Sequence, residues 1–134
     1  MERFRIGSAT LERELSTPYA YGPADCFHLG CAMSDALHRT SLVEKYRGVY
    51  RSLKGAHIAL RRRGFSSLVD FWSTELGQKP DGGASALYFD LVILRLADGA
   101  EHVGVCAGHR FITKTERGRA DHGLSDVIAT FHLG

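Results

Sequence analysis

The apolar residues of this chain change period at Lys79-Pro80-Asp81-Gly82-Gly83. Upstream they recur at steps of three and four; downstream they sit in short aliphatic and branched blocks. Helices therefore come first and strands second, which predicts an α+β domain with N-terminal helices packed on a C-terminal antiparallel sheet. Ala9 to Leu15 reads as a short charged helix, and Cys26, Leu29, Met33 and Leu37 form the inward stripe of a second. A third is expected to start at Ser52 as N-cap and stop at Gly64, carrying Leu53, Ala56 and Leu60 on one face. A fourth is expected to run from a Ser66 cap through Leu68, Phe71, Trp72 and Leu76 to Gly77. Leu87 to Leu96 and Glu101 to Ala107 flank Asp98-Gly99, a hairpin signal, and Phe111 to Thr115 and Val127 to Leu133 are predicted to complete the sheet.

With 134 residues, 44% of them hydrophobic and 24% charged, the chain suits one packed domain over residues 1–134. Its longest aliphatic run, Leu91 to Leu94, falls far short of the ~20 apolar residues of a membrane span. The start, Met1-Glu2-Arg3-Phe4-Arg5, has no cationic tip followed by an apolar run, so no signal peptide and cytoplasmic synthesis are expected. A net charge of +2 is too small to point to nucleic acid. Three cysteines without a CxxC pair fit a reducing compartment rather than a disulfide framework. No glycine-rich phosphate loop, GxSxG or HExxH occurs, which moves nucleotide hydrolysis, serine hydrolysis and metallopeptidase chemistry out of the front rank. Cys26, His28 and Cys31 would spread around a helix, and His102 and Cys106 lie far apart along a strand, so neither a metal nor a cofactor is expected. Arg61, Arg62 and Arg63, in a last helical turn, are accounted for by the helix dipole and solvation.

The window from Thr17 to Cys26 carries the strongest chemical signal. Pro18, Gly22 and Pro23 keep the approach non-helical, Asp25 suits an N-cap, and Cys26 then falls in the first turn of its helix. Free N–H groups and the positive end of the helix dipole favour a thiolate there, so Cys26 is expected to react well below pH ~8.5. A thiol nucleophile needs a base on a rigid element opposite. His102 opens the strand His102-Val103-Gly104-Val105-Cys106, shares a face with Gly104 and Cys106, and has the space left by Gly104 beside it. A cysteine at a helix start is more often a small buried hydrophobe, and a strand histidine more often a satisfied polar residue, so spacing alone does not make the pair a dyad.

Pro18-Tyr19-Ala20-Tyr21-Gly22, Asp25-Cys26, Phe89-Asp90 leading into Leu91-Val92-Ile93-Leu94, and His102-Val103-Gly104-Val105 with Gly108 follow one another in an order and spacing that resemble the NlpC family of papain-like cysteine peptidases. The resemblance runs from about Thr17 to Thr115, and the middle segment around Tyr46 to Ala56 and Leu60 to Phe65 is similar to a short branch found in phage and prophage tail gene clusters. It implies a papain-like fold, Cys26 as nucleophile, His102 as general base, Tyr19 beside the oxyanion and substrate groove, and Asp25 as neighbour of the nucleophile on the substrate side. The substrate it implies is an amide bond in peptidoglycan stem peptides or another peptide, with phage tail proteins as partners and tail-like particles as a destination.

The chain departs from that pattern at three places. Phe27 stands where a serine commonly follows the nucleophile, Phe89 where a glycine precedes Asp90, and Thr113 where a His, Asn or Gln would hold the imidazole. A threonine hydroxyl can accept from the ring but carries no charge to stabilise imidazolium, which makes His109 and Glu116 substitutes for the third catalytic place. Two readings follow: a cysteine amidohydrolase, and a tail assembly or tail-tip protein that keeps the fold with a weak or vestigial dyad.

Overall fold

In the computed structural model, which describes residues 2–134, the helical half contains α1 (Glu2–Ser16), α2 (Cys26–His38), the single turn α3 (Leu42–Lys45), α4 (Leu53–Arg62) and α5 (Leu68–Leu76). The expected caps form at two helices. The Asp25 carboxylate accepts from the His28 N–H at the start of α2, and the Ser52 hydroxyl accepts from the Gly55 N–H at the start of α4. At α5 the cap is Ser67, whose hydroxyl accepts from the Asp70 N–H, rather than Ser66. α1 begins at Glu2, earlier than the apolar spacing predicts, because its first turns are tied down from outside: the Arg3 guanidinium bonds the carbonyls of Tyr88 and Leu133 and the carboxylate of Asp90.

The second half folds into β1 (Leu91–Arg95), β2 (Glu101–Cys106), β3 (Phe111–Thr115), β4 (Gly118–His122) and β5 (Val127–Phe131), an antiparallel sheet in the order β4-β3-β2-β1-β5. The Asp98-Gly99 hairpin forms as expected, with the Gly99 N–H on the Leu96 carbonyl and the Ala100 N–H on the Asp98 carboxylate. Two strand expectations are corrected. β1 starts at Leu91 rather than Leu87, since residues 87–90 close a turn in which the Asp90 N–H bonds the Leu87 carbonyl. β4 was not expected at all: Gly118-Arg-Ala-Asp-His is a polar edge strand with no buried residue and no apolar alternation to reveal it.

Register decides which residues meet the helices. Leu91 and Ile93 of β1 oppose Val105 and Val103 of β2, Ile112 of β3 opposes Val105, and Ala129 and Phe131 of β5 flank β1, making one face of the sheet. Leu29 and Met33 of α2 and Phe71 and Trp72 of α5 pack on that face in the main core. Val92, Leu94, Cys106 and Phe111 point the other way into a smaller core covered by Ala86, Leu96 and Val127. No helix among the described residues is long and apolar enough to cross a membrane.

Candidate active site

The loop before α2 is closed on itself and on its neighbour. Ala20 and Ala24 exchange backbone hydrogen bonds, and Gly22 has φ +99 with its Cα against the Tyr50 carbonyl, where a Cβ would stand 2.6 Å from the oxygen. Only glycine meets both demands. This fixes Asp25, 4% exposed. One carboxylate oxygen accepts from the His28 N–H at 2.8 Å, and the other accepts from the Gly22 N–H at 3.0 Å and from the Tyr50 hydroxyl. Both oxygens of Asp25 are thus engaged within the protein, and burial followed by the Asp25 charge pushes the Tyr50 phenol pKa upward.

Cys26 is half-buried at the head of α2, against the main core. The expected low pKa is corrected: burial pushes its thiol up to about 11, the Val103 backbone is the strongest influence the other way, and the neighbouring Asp25 charge adds to the rise. The same carboxylate that caps the helix and makes Cys26 a first-turn residue therefore opposes the helix dipole, and desolvation outweighs the dipole. Cys31 and Cys106 are buried, and burial raises both thiols too.

The β2–β3 ladder contains Gly104–Thr113, Val105–Ile112 and Cys106–Phe111 and no further pair, so residues 101–103 of β2 have β1 on one side and no β3 partner on the other. Where β3 has departed, the Thr113 hydroxyl donates to the Val103 carbonyl at 2.6 Å, and the Val103 backbone is near enough to Cys26 to favour its thiolate. Thr113 is fully buried and serves the Cys26 side of the site; it does not hold the imidazole.

His102 lies opposite Leu94, whose side chain belongs to the smaller core, so it leaves the sheet on the face away from α2. The space at Gly104 is likewise taken up by Leu94 and Val92 rather than by a helix end. Among the described residues no hydrogen bond joins Cys26 to His102, yet both line one cavity of about 890 Å³, reached past the open edge of β2. His102 Nε2 stands 3.4 Å from the Asp98 carboxylate in the β1–β2 turn, at the long end of hydrogen-bond range.

Tyr19 borders the same cavity and packs edge-on against Tyr21 at 5.2 Å between ring centres. Its phenol is pushed up, first by burial and then by the charges of Cys26 and Asp25. Glu116 accepts from the Tyr21 hydroxyl and lines the cavity with His102, and His109 sits in the exposed β2–β3 turn; among the described residues neither is hydrogen-bonded to His102. Three participants escaped the sequence reading. Asp98 was legible only as a turn residue, Tyr50 only as part of a similar middle segment, and Lys114 not at all. Lys114 is 2% exposed with no hydrogen-bond partner at Nζ, and burial lowers its pKa against the raising charges of Glu14 and Asp25. No group of three or more His, Cys, Asp or Glu side chains among the described residues is placed to hold a metal ion.

No curated protein and no solved structure matches the chain. A family model does, over residues 3–133, and the chain belongs to that family, described as Domain of unknown function (DUF6950).

Proposed function

We propose that this protein is a cysteine amidohydrolase on a papain-like, NlpC-type fold, acting on peptide-type amide bonds. Peptidoglycan stem peptides in a phage tail setting are the substrate that the resemblance of residues 17–115 implies. The observation that supports it most is the cavity that Cys26 and His102 both border, with Asp98 beside the imidazole. With Nε2 beside Asp98, Nδ1 is the ring nitrogen that takes the proton. Because the thiol is protonated at neutral pH, proton transfer accompanies attack instead of preceding it. The Cys26 sulfur bonds to the carbonyl carbon as its proton passes to His102. N–H groups at the start of α2 face the developing oxyanion, the C–N bond breaks, and the amine leaves with the proton from His102. Water then attacks the thioester, gives a proton to His102, and the acid product departs as the sulfur regains its hydrogen.

The test is release of peptides from peptidoglycan fragments, read by mass, for the intact protein and for Cys26→Ala and His102→Ala. Cleavage lost in both variants is the expected result. The absence of any hydrogen bond between Cys26 and His102, and Phe27 seated among Tyr46, Phe71 and Trp72, favour a second reading as a tail structural protein. No cleavage by the intact protein, with Cys26→Ala particles that assemble and infect normally, would establish that one.

A further inference from the structure

α4 is the one long helix with no buried residue, although Leu53, Ala56 and Leu60 lie along one side of its ten residues. Leu53 is 52% exposed. That side forms a wall of the cavity that Cys26 borders, which Phe27, Val49 and Tyr50 also line. Phe27 is the residue immediately after the nucleophile, and its ring meets Tyr50 at 6.1 Å and Tyr46 at 5.7 Å between centres, so the surface beside the sulfur is aromatic. The Arg63 guanidinium stands over the Tyr46 ring at 5.9 Å, and Phe27 borders the cavity beside them. Of Leu53, Ala56 and Leu60 only Leu60 also packs against the main core, so the outer part of the apolar wall, Leu53 above all, would gain burial from an apolar occupant.

We propose that this cavity takes an apolar group, an aromatic or aliphatic side chain or acyl chain, of the molecule whose carbonyl Cys26 attacks, with Phe27, Leu53, Ala56 and Leu60 setting that preference. The proposal rests on the reading of Cys26 as nucleophile and names the substrate class of that site. The volume of about 890 Å³ lies within the range of small-ligand sites, and the contiguity of the apolar wall with the sulfur makes the thiol's own substrate the occupant. Phe27 offers a ring face and no hydrogen-bonding group at this position.

The probe is a homologous series of N-alkylmaleimides, methyl to hexyl, reacted with the full-length protein. Addition at Cys26 is located by peptide mass, and each rate is divided by that for a small free thiol. The expected result is a relative rate that climbs by about three- to fourfold per methylene over the first few carbons. The expected effect of Leu53→Asn, at an exposed position that folding tolerates, is a lower hexyl-to-methyl ratio. A flat series, a ratio unmoved by Leu53→Asn, or no addition at Cys26 by any member would overturn the proposal. The readout needs no hydrolysis: a steep series with no peptide cleavage would leave an apolar site and remove the hydrolase, while cleavage with a flat series would do the reverse.

Discussion

Gly7 of α1 and Phe89 ahead of β1 are built to each other: a Cβ on Gly7 would stand 2.4 Å from Cδ2 of the Phe89 ring. Phe89 itself has φ +72, a left-handed backbone that bulky residues rarely adopt. The chain thus keeps the backbone that suits glycine at position 89 but adds a ring, and the missing side chain at position 7 makes room for it. Phe4 and Tyr88 pack around the same ring at 5.5 and 5.4 Å. Gly7→Ala should therefore destabilise by about 1–3 kcal/mol despite the better helix propensity of alanine, because overpacking outweighs propensity. Urea unfolding of the two proteins measures it, and an alanine variant equal to or above the parent would contradict the fit.

Reaction of Cys26 with iodoacetamide should be slow at neutral pH and keep accelerating up to about pH 11, since burial and Asp25 keep the thiol protonated. Rates read by peptide mass across pH 6 to 11 check this. A plateau below about pH 8 would restore the helix-start thiolate that local position alone suggests.

His132, after β5, bridges two carboxylates of the segment ahead of β1, with Nδ1 2.7 Å from Asp90 and Nε2 2.7 Å from Asp81. These bonds, Asp81 first, raise its pKa above the ordinary value. A raised folded-state pKa means the stabilisation is complete below the unfolded value of about 6.5 and disappears as pH rises through the folded one. The stability difference between the protein and His132→Gln should accordingly be largest near pH 6 and shrink above pH 7. The partial exposure of the ring keeps it small. A gap that widens with pH would reverse the assignment.

Asp90 is 1% exposed and accepts from Arg3, His132, and the N–H groups of Leu87 and Leu133. Asp90→Ala should cost about 3–5 kcal/mol, as removal of one partner from a buried charged network does. Chemical denaturation monitors it, and a loss under about 1 kcal/mol would show the network to be dispensable.

Under the hydrolase reading, Asp98→Asn should slow amide turnover by about tenfold, short of the ~10²–10⁴ that a general base supplies in full, because the carboxylate is solvated and 3.4 Å from the ring. Thr113→Val should instead act through the Cys26 side and shift the pH at which the thiol reacts. Equal turnover in Asp98→Asn and the parent would remove Asp98 from the site.

The order of helices before strands, the Asp98-Gly99 hairpin and the Asp25 cap of α2 were legible in the sequence, because each depends on residues within a few positions of one another. Cys26 and His102 were legible as candidate residues, which the structure places on one cavity, and the alternation of β2 correctly separated His102 from Val103. Which of those two faces meets α2 was settled by packing: Val103 and Val105 bury more apolar surface against Leu29 than His102 and Gly104 could, so the imidazole was turned to the other side. The thiol's protonation was likewise a tertiary outcome, since the Asp25 charge is local but the burial that raises the pKa comes from the sheet. β4 and the end of the β2–β3 ladder had no local signature, being a polar edge and a missing pair between strands. Periodicity records which side of an element is apolar; only the assembled sheet and helices determine what that side meets, and therefore which charges and which cavity surround a given sulfur.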